Sequence, residues 1–232
     1  LMVVTDRYPR GASTECECLI FKKKMARVEA LLEASMLEKR FRRMSFEDFI
    51  PKKGTKDAYD LALDYVARYE DLAAEGRGLT FLGETGVGKT FLACAILREL
   101  IHRKHIPGAI VYVPKLLDKI RSSYGAYAES PPSGKKRRTA NVVMELVSTI
   151  DFLILDDLGA EKTSPWVMER LTMVVNDRYE KMLPTIVTSN EGLSRLAKRV
   201  GKRTVSRLAE MNRTVLMEGE DFRSMGIRDM GE

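Results

Sequence analysis

Long apolar runs are missing from this 232-residue chain. Nothing in it approaches the roughly 18 consecutive apolar residues that a helix needs to cross a bilayer, so no membrane span is expected. The chain also does not open with the basic start, apolar stretch and small-residue cleavage site of a secretory leader. Cysteine is scarce. Three of them, Cys16, Cys18 and Cys94, cannot build a disulfide framework, which suits a reducing compartment, and the expected location is cytoplasmic. An Asn-Lys-x-Asp guanine-reading motif is absent, which argues against a GTPase. The first residue is Leu1 rather than Met, and the expectation is of a fragment or a processed product.

What is present is enough for one sizeable core: 44% hydrophobic residues, with 31% charged residues to keep the surface solvated. The formal net charge of +6 fits a polyanionic partner such as nucleic acid, and equally a solvated basic surface.

Residues 1–21 show no clear periodicity. Residues 22–44 read as a charged helix, from Lys22-Lys23-Lys24 through Leu31, Leu32 and Met36 to Arg43, with the three lysines on a solvated face. Ser45-Phe46-Glu47-Asp48-Phe49 resembles a capped turn, and Pro51 and Gly54 break the chain after it, so a domain boundary is placed near residue 45. Residues 1–45 are then a linker with a charged helix, the remnant of a truncated N-terminal domain, and 46–232 the main domain. From Lys56 to Glu75, Ala58, Leu61, Ala62, Tyr65, Val66, Tyr69 and Leu72 recur at helical spacing. Short apolar strands are expected at Leu79–Leu82, Ala109–Val113 (closed by Pro114), Phe152–Leu155, Thr185–Thr188 and Val215–Met217. Helices are expected over Thr90–Lys104, 115–124, 141–149 and from Pro165, capped by Ser164, to about Met182. Strands alternating with helices imply a parallel sheet covered on both faces.

Gly83-Glu84-Thr85-Gly86-Val87-Gly88-Lys89-Thr90 fits G-x-x-x-x-G-K-[ST] at every fixed position, between a strand and a helix as the mechanism requires. Glycines let the backbone curl so that successive N–H groups face phosphate oxygens, and the helix start adds its positive end. All eight residues, with Phe91 next to them, are candidate ATP contacts. Lys89 is expected to bridge the β- and γ-phosphates and the Thr90 hydroxyl to ligate Mg²⁺. Asp151-Phe152-Leu153-Ile154-Leu155-Asp156-Asp157 puts two acids at the tip of an apolar strand, where ligands bind in parallel sheets. Asp156 is the second Mg²⁺ candidate and Asp157 the group that polarises the attacking water.

Together these residues resemble the AAA+ helicase loaders of the DnaC/DnaI type and their transposition relative IstB. The resemblance runs from about Phe46 to the C-terminus. Its most specific parts are Leu155-Asp156-Asp157-Leu158-Gly159-Ala160-Glu161, Pro184-Thr185-Ile186-Val187-Thr188-Ser189-Asn190 and Ser206-Arg207-Leu208. It implies an α/β fold, a P-loop NTPase of the AAA+ kind with a central parallel five-stranded sheet flanked by helices and no C-terminal lid domain. It also implies a sensing amide at Asn190, and at Arg207 an arginine finger donated into a neighbouring copy's ATP site, with Arg203 four residues earlier assisting. Arg223 matches a recurring C-terminal motif, and Trp166 is read as packing, as is Cys94. Fuller relatives carry two cysteine pairs that bind zinc. Cys16 and Cys18 alone cannot close a tetrahedral site, and no zinc is expected.

The resemblance also assigns a channel-facing role to the region around Lys135-Lys136-Arg137-Arg138, read as a basic loop. Such a loop either tracks single-stranded DNA, with Tyr124 and Tyr127 stacking on bases, or is simply solvated. The implied function is ATP-dependent loading of a replicative helicase onto single-stranded DNA, by protomers that self-associate through their ATP sites. The alternatives are an IstB-like transposition helper, and a nucleotide-gated adaptor with negligible turnover, kept open by the short Asp157 side chain. ATPase activity is expected to be slow and stimulated by DNA or a partner.

Overall fold

Five short strands make the centre of the molecule, four of them buried on both faces and the last, at one edge, largely exposed. The structure, a computed structural model, describes residues 2–3, 14–32, 44–123 and 134–222. Along the chain these are β1 (Met2–Val3), β2 (Thr14–Glu15), α1 (Glu17–Leu32), a 3₁₀ turn (Phe46–Asp48), α2 (Lys56–Ala67), α3 (Tyr69–Ala74), β3 (Gly78–Gly83) and α4 (Lys89–Arg103). There follow β4 (Gly108–Tyr112), α5 (Val113–Ser123), α6 (Gly134–Thr149), β5 (Phe152–Asp156), α7 (Pro165–Glu180), β6 (Thr185–Ser189), α8 (Leu193–Val200), α9 (Lys202–Met211) and β7 (Asn212–Met217).

The main sheet has the order β4-β5-β6-β3-β7, and every pairing in it is parallel. β1 and β2 form a separate antiparallel pair. Because side chains alternate across a strand, each central strand feeds two cores. Leu153 and Leu155 of β5 join Val111, Val187 and residues of α5 to α9 on one face. Phe152 and Ile154 join Ile110, Phe81, Ile186 and residues of α2 and α4 on the other. Burial on both sides explains why the strands read as continuous apolar runs. At about 1.5–3 kcal/mol for each fully buried large apolar side chain, these two layers supply most of the drive to fold.

The strands fall where the sequence puts them, with some differences at the edges. β4 stops at Tyr112, and Val113 and Pro114 already belong to α5, where a first-turn proline loses no helical hydrogen bond. The helix expected over Lys56–Glu75 bends at Arg68 (φ −103°, ψ 21°) into α2 and α3. Hydrogen bonding continues across the bend, from Arg68 N to Asp64 O at 2.9 Å and from Leu72 N to Arg68 O at 3.1 Å. Helix α6 begins at Gly134, not near 141, so residues 135–138 lie in a helix rather than a loop. The loop-like composition ends with Gly134, and Lys and Arg are good helix formers.

Helix α1 starts earlier than expected and lies against β4 and α6. Val28 is fully buried in the core, and Lys24, expected on a solvated face, pairs with Asp151 at 2.6 Å. The Ser45 turn is closed by Asp48, whose carboxylate accepts from Ser45 Oγ at 2.7 Å and from Ser45 N at 3.2 Å. Ser164 caps α7, its hydroxyl accepting from Val167 N at 3.3 Å, and Pro165 opens that helix. Among the described residues no helix is long and apolar enough to cross a membrane.

Candidate nucleotide site

Order in the sheet decides where the site lies. β3 sits between β6 and β7, while the chain leaving it through α4 returns to β4, at the far edge. The loop after β3 therefore opens beside the C-terminal ends of β5 and β6, the crevice in which open parallel sheets bind ligands.

Glycine is required in this loop. Gly86 (φ +85°) and Gly88 (φ +98°) both hold left-handed conformations. A Cβ on Gly86 would collide with Asp221, and one on Gly88 with the Phe49 ring. Gly88 leads into α4, so the loop ends on a helix N-terminus. Lys89 is buried, and its ammonium donates to Gly83 O at 2.8 Å, Glu84 O at 2.6 Å and Asn190 Oδ1 at 2.7 Å. The Val87 side chain is fully buried in the core, so it is the backbone N–H of this residue that can face a phosphate.

Facing the loop, β5 delivers Asp156 at its last position. Its carboxylate accepts from Thr90 Oγ1 and from Thr188 Oγ1, each at 2.8 Å. Thr188 in turn accepts from Asp157 N at 2.8 Å. Asp157 itself adopts φ +58°, and the sharp turn aims its carboxylate at Asn190 Nδ2, 2.6 Å away. Lys89, Asn190 and Asp157 are thus joined by direct hydrogen bonds, as are Thr90 and Asp156, and Thr188 links the two groups.

Burial raises the Asp156 carboxyl above its ordinary value, opposed by the Thr188 and Thr90 hydrogen bonds. The Tyr112 phenol is raised by burial and then by the charges of Asp157, Asp156 and Glu161. Burial raises Glu161 as well. Partly desolvated acids beside a hydroxyl form a hard-oxygen donor set, and that chemistry fits a divalent cation such as Mg²⁺.

These groups, Glu161 excepted, line a cavity of about 540 Å³. Its other wall is apolar: Phe91, a candidate ATP contact in the sequence, together with Met44, Phe49, Ile50 and Phe222. Phe49 stacks on Tyr59 (5.6 Å between centroids) and lies 5.4 Å from Phe91. The chain after β7 returns across the loop, Phe222 N donating to Gly86 O at 3.2 Å, and Lys52 sits 4.7 Å over the Phe222 ring. Sequence reading passed over this wall and over Thr188. A polar residue ending the apolar run Ile186-Val187 was the one available signal for Thr188. The aromatic wall is gathered from distant segments and left no local pattern.

Arg203 and Arg207 do not join the cavity. Both lie on α9, Arg203 exposed and Arg207 half-buried. Lys135, Lys136, Arg137 and Arg138 occupy the start of α6, while Tyr124, Tyr127 and Arg223 fall outside the described residues. Cys94 is buried in the core on the α4 face of the sheet, and Trp166 packs from α7 against the core on the other face, with the Arg121 guanidinium 4.9 Å over its ring.

The sheet order, the glycine loop opening a helix and the acids on the neighbouring strand tip define a P-loop nucleotide-binding protein of the AAA+ class. Within that class the chain belongs to the IstB-like ATP binding protein family, whose model matches residues 20–224. The replicative helicase loader DnaI of Bacillus subtilis (strain 168) is 32% identical over 128 residues, 55% of this chain and 37% of DnaI. The phage-like element PBSX protein XkdC of the same organism is 28% identical over 197 residues, 82% of this chain and 70% of XkdC. A crystal structure of the DnaC helicase loader matches with a TM-score of 0.67 at 28% identity, covering 78% of this chain and 100% of that one. The chain thus spans little more than a third of DnaI, at 37% of its length.

Proposed function

We propose that this chain is an ATPase that loads a replicative DNA helicase onto single-stranded DNA, with ATP and Mg²⁺ held where copies of the chain meet. The observation that carries the reading is the set of Lys89, Thr90, Asp156, Asp157 and Asn190, hydrogen-bonded through Thr188, on one wall of a cavity. Similarity to proteins named as helicase loaders supports the choice of partner.

The loop amides and Lys89 bind the phosphates, the lysine turning to them from Gly83 O and Glu84 O. Thr90 and Asp156 would hold Mg²⁺, which would supply positive charge to offset that of the phosphates. Asp157 takes a proton from the water that attacks the γ-phosphorus, and Asn190 fixes the angle of its carboxylate. The bond from the γ-phosphorus to the bridging oxygen breaks, leaving ADP and phosphate. Arg207, assisted by Arg203, reaches the γ-phosphate from the neighbouring copy, where a guanidinium stabilises the charge of the transition state. Lys135, Lys136, Arg137 and Arg138 follow the phosphates of the DNA strand, which makes binding fall with rising salt.

Steady-state ATPase with and without single-stranded DNA, together with capture of a replicative helicase, tests the reading. Lys89→Ala should lose nucleotide binding or turnover, and full activity in that variant would remove the glycine loop from the mechanism. Capture of a transposase in place of a helicase would move the assignment to the transposition helper.

One observation favours a second reading, a nucleotide-gated adaptor with negligible turnover. The short Asp157 side chain already gives one carboxylate oxygen to Asn190. Tight ATP binding with no hydrolysis, DNA present or absent, would establish it.

A further inference from the structure

Two consecutive residues of α7, Arg178 and Tyr179, show two arginines held in opposite ways. Arg178 is wholly buried and every nitrogen of its guanidinium has an acceptor: Thr185 Oγ1 at 2.7 Å, Val147 O at 3.0 Å, Ile150 O at 2.8 Å and Pro184 O at 2.8 Å. Tyr179, the next residue, lies under the guanidinium of Arg207 from α9, with the charged carbon 5.5 Å from the ring centroid. Arg207 Nη1 is buried and has no hydrogen-bond acceptor. A ring face attracts a cation through its quadrupole without accepting a directed hydrogen bond. Arg207 is therefore held in place while its donors stay uncommitted, whereas Arg178 has none left to offer.

Glu210 completes the arrangement. It stands three residues after Arg207 on α9, close enough on a helix surface for the two to pair. Its carboxylate instead accepts from the Tyr179 hydroxyl at 2.6 Å, and that bond raises the phenol above its ordinary value. The Glu210 carbonyl accepts from Arg77 Nη1 at 2.9 Å, tying the end of α9 to the residue that precedes β3. Tyr179 thus supports Arg207 with its ring and occupies with its hydroxyl the carboxylate that would otherwise neutralise the guanidinium.

We infer that Tyr179 is a positioning residue for Arg207, presenting its guanidinium to the nucleotide of a neighbouring copy. The inference rests on the reading above that Arg207 works in a neighbour's site.

The experiment is steady-state ATPase of the full chain, alone and in mixtures, with Arg207→Ala as control. Tyr179→Leu should lower kcat about tenfold and leave KM for ATP within about twofold, since the variant's own cavity is intact. Mixing it with Lys89→Ala should restore turnover, because that partner binds no nucleotide but offers a correctly held Arg207. A folding defect would not be rescued this way. Tyr179→Phe, which keeps the ring and frees Glu210, should lose about two- to threefold, and adding Glu210→Ala should recover it. Tyr179→Leu at the parent's rate, or a loss that mixing does not restore while that of Arg207→Ala is restored, overturns the inference. If Tyr179→Leu does not fold, Tyr179→Phe decides, and a parental rate there overturns it. Full turnover in Arg207→Ala, or no turnover in the parent, defeats the underlying reading and this one with it.

Discussion

At the scale of single residues, the site depends on one backbone conformation that no residue type announces. Asp157 sits at φ +58°, a region entered by few residues other than glycine, though Asp and Asn tolerate it better than most. Such a conformation costs on the order of 1–3 kcal/mol and persists only where neighbours enforce it. Here Thr188 Oγ1 fixes the Asp157 N–H and Asn190 fixes its carboxylate. Asparagine can keep the turn while removing the base. Asp157→Asn should therefore retain ATP binding while kcat falls by about 10²–10⁴, the usual weight of a general base. Binding and single-turnover measurements separate the two effects, and unchanged turnover would take Asp157 out of the chemistry.

At the scale of elements, Arg178 is the junction. From α7 it reaches the carbonyls that end α6, the carbonyl before β6 and the first side chain of β6, the strand that leads to Thr188 and Asn190. Burial lowers the guanidinium to about 9, so it is still charged at neutral pH. Its direct partners are three carbonyls and a hydroxyl rather than an acid. Arg178→Met would fill similar volume but leave buried carbonyls without donors, each costing about 1–3 kcal/mol. For three carbonyls the expected loss in urea unfolding is about 3–9 kcal/mol. A change under about 1 kcal/mol would mean that water or a shifted backbone satisfies those groups.

At the scale of the whole molecule, the cavity couples ligand to stability, because its walls come from both ends of the described main sheet region. Met44 and Phe49 precede the sheet, Phe222 follows it, and the loop and acids come from within. A ligand that needs all of them binds the folded chain alone. ATP with Mg²⁺ at about 100 times its dissociation constant should add about 2.7 kcal/mol of stability. For a chain of this size that is a rise in Tm of about 5–10 °C in a thermal melt. Removing Mg²⁺ with a chelator should shrink the rise, and Lys89→Ala should abolish it. A melt indifferent to ATP concentration in the parent protein would contradict a folded-state nucleotide site.

The sequence by itself determined the glycine loop, the five strands and the acids at the strand tip. Each is written in neighbouring residues: Gly86 and Gly88 by their required backbone freedom, Phe152–Leu155 by unbroken apolarity, Asp156 and Asp157 by position at its end. Asn190, just after a strand, was marked only by the family resemblance, because an asparagine there is as readily a turn or a helix cap. Tertiary structure alone decided that Asn190 bonds both Lys89 and Asp157, because only the strand order β5-β6-β3 makes them neighbours. It alone brought Phe49, Phe91 and Phe222 to one wall, and set Tyr179 between Arg207 and Glu210. The physical reason is range: backbone conformation and burial periodicity act over a few residues and leave a local pattern, whereas contacts between distant segments follow from how the helices and strands pack.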